Sequence, residues 1–225
     1  MAITVVNSTF SNSTTPTIPA TTAGNCLVVL IGCGGSSATL SGITLGGSAD
    51  NFGQLIAPVV NAAQFEIFTW ADPNCAGGQT AISLSGSGLA VGVTSGLGGV
   101  AIYEVSGLAT TLGALLDKSS VGTGSVTAYS SGATATTANA NELWVGSAGS
   151  SGTISTGPGA PWNNHLNPNT FMTGYQVASS TGAATYSGNV GSGSWAANVV
   201  TLNGSGGGGG SSPQSPLVGM GGWIL

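Results

Sequence analysis

The chain has 225 residues, and only seven carry a full charge: Lys118 against six Asp and Glu, for a net charge of -5 at pH 7. Charged residues make up 3% of the chain, where a soluble protein averages about 25%, and glycine reaches 40 residues. One lysine cannot neutralise a phosphate backbone, which excludes a nucleic-acid binder. A 41% hydrophobic content excludes a charged disordered chain, and glycines without a three-residue period exclude collagen.

In chain order, short apolar or alternating runs follow one another between Gly, Asn, Asp and Pro. Residues 3–6 open with a strand. Residues 26–33 form an apolar run of the kind a central strand shows when both of its faces are covered. Residues 64–70 alternate, with Phe65, Ile67 and Thr69 on one face and Glu66, Phe68 and Trp70 on the other. Further strands are expected at 80–84, 100–105, 125–130, 142–146, 171–178 and 195–202. In the run 171–177 Phe171, Thr173, Tyr175 and Val177 share a face. The best helical signal is 111–118, where Leu112, Leu115 and Leu116 have helical spacing over about two turns. About ten short strands with Gly-rich turns predict an all-β fold, a single jelly-roll-like sandwich over residues 1–202. No fixed repeat period is visible.

After Leu202 comes a Gly/Ser linker, 203–212, with five consecutive glycines and a root-mean-square reach of roughly 15–19 Å. Residues 213–225 then carry Leu217, Val218, Met220, Trp223, Ile224 and Leu225. A tail this apolar needs a burial site, either on its own sandwich or on a neighbour, and these six side chains are the expected partner-binding residues. Residues 1–10 show no basic and apolar secretory leader, and the run 26–31 is too short to cross a membrane as a helix.

Several ordered motifs resemble a jelly-roll-like β-sandwich family found in bacterial surface proteins and in tailed-phage virion genes. They begin with Gly24-Asn25 before the apolar run, Asp50-Asn51-Phe52-Gly53, Ala76-Gly77-Gly78 and Tyr103-Glu104-Val105-Ser106-Gly107-Leu108. Leu116-Asp117, Thr136-Thr137-Ala138 with Asn141-Glu142-Leu143, Tyr175-Gln176-Val177, Thr181-Gly182 and Ser194-Trp195-Ala196-Ala197 complete the set. The resemblance spans residues from about 24 to 202 and leaves out the linker and tail. It implies a sandwich without a known catalytic activity.

Catalytic chemistry is hard to assemble from these residues. The sole histidine, His165, falls in the Pro/Asn-rich stretch 161–168 and reads as a loop residue, and no G-x-S-x-G elbow occurs. Glu66 and Glu104 are strand residues that could face each other as a carboxylate pair, although structural carboxylates are the simpler reading. Asp50 with Asn51 and Asp72 with Asn74 supply too few oxygens for calcium and read as Asx turns. Cys26, Cys33 and Cys75 read as buried thiols, with a Cys75 bridge as the alternative. Trp162, between Pro161 and Asn163, is the tryptophan expected to be exposed.

An exterior of Ser, Thr, Asn and Gly loses little on desolvation, which suits a permanent assembly. The expectation is therefore a non-enzymatic structural subunit, without cofactor or metal, of a virion made in the host cytoplasm. A phage capsid decoration or head or tail accessory protein fits best, homo-oligomeric and seated on a major capsid or tail protein. The alternative is an extracellular or cell-surface carbohydrate-binding adhesin or receptor-binding module.

Overall fold

A computed structural model describes residues 1–206 except 36, 62–63, 92–97 and 168. The tail residues Leu217, Val218, Met220, Trp223, Ile224 and Leu225 lie outside the described residues. The first half of the chain forms β1 (Thr4–Ser11), β2 (Cys26–Gly34), β3 (Thr39–Leu45), β4 (Ser48–Ala49), β5 (Gly53–Asn61), β6 (Phe65–Asp72), β7 (Ile82–Ser87) and β8 (Gly98–Ser106). A single helical turn, α1 (Leu112–Leu115), leads into the second half. There follow β9 (Leu116–Gly124), β10 (Ala128–Ser130), β11 (Glu142–Ser150), β12 (Ile154–Thr156), β13 (Asn163–Asn167), β14 (Phe171–Ala178), β15 (Ser187–Val190) and β16 (Trp195–Asn203).

These strands build an all-β sandwich of four antiparallel sheets. Two five-stranded sheets, β1-β8-β2-β6-β5 and β13-β14-β11-β16-β9, form the inner layers, and the three-stranded sheets β4-β3-β7 and β10-β15-β12 cover their outer faces. The run 26–33 lies in the middle strand of its sheet, as its composition predicts. On one side Val28 and Leu30 meet Leu143, Val145 and Val200 of the other inner sheet. On the other side Leu27, Val29 and Ile31 meet Ile43, Leu45, Ile82 and Leu84 of the covering sheet. A strand sealed on both faces has no position where a polar side chain would reach water.

The two halves share one topology. Matching β1, β2, β5, β6 and β8 with β9, β11, β13, β14 and β16 turns one inner strand order into the other. The backbone bonds that close the inner pairs also correspond: Gly35 N donates to Gln64 O at 3.0 Å, and Ser150 N donates to Thr170 O at 2.9 Å. Little of the sequence reveals the correspondence. Facing layers of a sandwich need only apolar side chains on the correct face, so the two halves meet the same demand with different residues.

Two local expectations are corrected. The helical reading of 111–118 shrinks to one turn, because the chain turns extended at Leu116 to pair β9 with β16. A ladder of eight residue pairs with β16 and the burial of Leu115 outweigh the spacing of three leucines. Residue 165 is also no loop: His165 sits in edge strand β13, opposite Thr173 of β14.

Candidate functional site

Strands β5 and β9, the edges of the two inner sheets on one flank, border an apolar groove open to solvent. β5 carries Leu55, Ile56, Pro58 and Val60 along the edge of one inner sheet, and β9 carries Leu116, Ser119, Val121 and Thr123 along the edge of the other. Pro58 has no N–H to give a further strand, and two register shifts interrupt the pairing of β5 with β6. The two edges are tied at one end, where Asn61 Nδ2 donates to Gly124 O at 3.0 Å and to Trp195 O at 2.8 Å. Between them lies a groove of about 520 Å³. Val60 is 42% exposed and Val121 54%. The period-two pattern of Ser119, Val121 and Thr123 marks this strand in the sequence, but the leucine spacing just before it points to a helix instead.

Five of the six carboxylates gather toward the end of the sandwich where β2 and β11 begin. Glu104 is 3% exposed and accepts from Asn7 Nδ2 at 2.8 Å, Thr22 N at 2.8 Å and Asn25 Nδ2 at 2.7 Å. Burial works to raise its pKa, yet these donors outweigh it and hold the carboxyl below its ordinary value. Thus Glu104 is an anion that staples the entry into β2 to β1 and β8.

The other four form two couples. Asp72 Oδ1 accepts from Asn74 N at 3.0 Å, the expected Asx turn, while its buried Oδ2 meets no hydrogen-bond donor. Burial, with Asp50 adding to it, raises Asp72 to about 6. Glu142 is arranged alike: Asn139 N reaches Oε1 at 3.3 Å, and Oε2 lacks such a donor. Burial and then Asp117 raise Glu142. Burial also acts to raise Asp117, but Lys118 Nζ at 2.7 Å and Ala138 N at 2.7 Å hold it below its ordinary value. The sequence placed Asp50 and Asp72 in separate turns; the pairing of β5 with β6 brings them together.

Other candidates are separated or buried. Glu66 and Glu104 do not face each other: they lie on opposite sides of β2, level with Cys33 and Leu27 respectively, six residues or roughly 20 Å apart along the strand. Glu66 accepts from Ala38 N at 3.1 Å, and burial raises its pKa. Trp162 is half-buried and meets Tyr186 edge-on at 5.1 Å, so it is not the exposed ring expected. Trp70 and Trp144 are also half-buried, and Trp195 donates Nε1 to Val126 O at 3.0 Å. Cys26, Cys33 and Cys75 are free buried thiols, and burial pushes Cys33 up to about 12. Among the described residues no three His, Cys, Asp or Glu side chains converge as a metal site, and no helix is long and apolar enough to cross a membrane.

No family model, no curated protein and no solved structure matches the chain.

Proposed function

We propose that the protein is a non-enzymatic structural subunit of a virion or surface assembly, in the manner of a phage capsid decoration or head or tail accessory protein. It associates with copies of itself and uses residues 213–225, with Leu217, Val218, Met220, Trp223, Ile224 and Leu225, to anchor on a neighbouring subunit. The observation that carries this reading is the nearly chargeless exterior of a sandwich whose inner sheets are already sealed. Such a surface is cheap to desolvate against a neighbour and repels like subunits weakly. The resemblance noted in the sequence, to a sandwich family of bacterial surface proteins and tailed-phage virion genes, is in keeping with a virion or surface assembly.

Sedimentation of the full chain at high micromolar concentration, beside a glycan array, tests the proposal. Self-association without sugar binding is the expected outcome. A strict monomer that binds one glycan class tightly would replace it with a carbohydrate-binding adhesin.

A further inference from the structure

Stacking of the inner sheets leaves two long flanks, and the matching of the halves makes them counterparts. On one flank β1 lies against β13, and its own side chains close it. The Phe10 ring stacks on His165 with centroids 3.3 Å apart and meets Tyr103 edge-on at 5.9 Å. Burial lowers the His165 pKa, so the imidazole is a neutral partner in this stack. On the other flank β5 lies against β9, and there the groove stands open.

The register shows which residues occupy the same places. Phe10 pairs with Ala101, which pairs with Leu30; in the second half Ser119 pairs with Val200, which pairs with Val145. His165 pairs with Thr173, and Val59 pairs with Ile67. The Gly35–Gln64 and Ser150–Thr170 bonds put Leu30 level with Val145 and Ile67 level with Thr173. Where the first flank has a stacked aromatic pair, the second therefore has only Ser119 and Val59.

We infer that this groove receives residues 213–225 of a second copy of the chain, with Trp223 filling the place that the Phe10–His165 stack fills on the opposite flank. The inference rests on the assembly reading above and names the surface that the anchor would use. Chemistry matches on both sides: Leu55, Ile56, Pro58, Val60, Leu116 and Val121 line the groove without a charge, and residues 213–225 carry none either. Pro58 and the two register shifts protect β5 from pairing with a further strand, so the groove offers side-chain contact rather than a ladder.

The path of the chain favours a second copy over the chain's own tail. Asn203 is still beside α1, donating Nδ2 to Ala114 O at 2.9 Å. Gly204 then pairs with Leu108, Ser205 N donates to Gly107 O at 2.7 Å, and Gly206 lies beside Met1 and Asn141. The last described residues thus cross the end of the sandwich away from their own groove. A tail-to-groove contact joins two different surfaces, so it closes by reciprocal exchange between two copies or propagates into a ring or a filament.

Mixing two full-length variants tests this. Val121→Asp spoils an exposed groove position and leaves the tail intact; Trp223→Ala does the reverse. Each alone should self-associate about 30-fold more weakly than the wild type, the loss of one interface hot spot. An equal mixture should form one-to-one dimers in sedimentation, and that result supports the inference. Two outcomes overturn it while leaving the assembly reading in place: Val121→Asp chains that associate like wild type, or two weakened variants that fail to rescue each other. A wild-type chain that stays monomeric would overturn both.

Discussion

Replacing Asp72 by Asn should stabilise the protein at neutral pH. Asp72 has no exposed surface, and its carboxyl is raised from 3.8 to about 6 by burial, with Asp50 adding to the effect. A raised carboxyl contributes stability that is fully present below its unfolded pKa and is lost as pH rises through the folded value. The window here runs from about pH 4 to about pH 6, and at 1.36 kcal/mol per pH unit the loss is about 3 kcal/mol by pH 7.5. In Asp72→Asn the side-chain amide keeps the shape of the carboxyl, carries no charge to bury and does not titrate. Urea unfolding should give matching stabilities at pH 4 and a variant about 2–3 kcal/mol more stable at pH 7.5. For a chain of this size that is a rise in Tm of roughly 5–10 °C. Comparing the two chains cancels the remaining carboxylates, so the difference reports Asp72. An Asp72→Asn chain less stable than wild type at pH 7.5 would refute the burial penalty and mean that the native fold uses the ionised carboxylate.

Glu104→Gln should act with the opposite sign. Its depressed pKa supplies stability above the ordinary carboxylate range that is lost as pH falls through the folded value, so the variant should lose about 1–3 kcal/mol at pH 7 and converge on wild type in acid. Urea titrations at the two pH values check this. Gly149→Ala places a Cβ against the ring of Phe65, itself fully buried between the inner sheets. It should cost about 1–3 kcal/mol of unfolding free energy, measured at a single pH.

The sequence by itself determined the fold class and the middle of one sheet. The run 26–33 has no polar side chain to turn outward, so local chemistry alone decided that element, whereas the stretch 64–70 has two apolar residues on each face and only the layers on both sides of β6 decide what each face meets. The edges were decided by tertiary structure. β5 and β13 are interrupted by Pro58 and Asn-rich turns, and β9 follows leucines at helical spacing; each becomes a strand only because a neighbour supplies a ladder. The same holds for the carboxylates. Asp50 and Asp72 meet because β5 pairs with β6, and Glu66 and Glu104 part because β2 runs between them. The open flank is the least legible feature, since it exists only where the edges of two stacked sheets face each other, and neither β5 nor β9 records which strand lies across from it. The apolar character of residues 213–225 is plain in the sequence, whereas the apolar groove between β5 and β9 is created by the way the two halves stack.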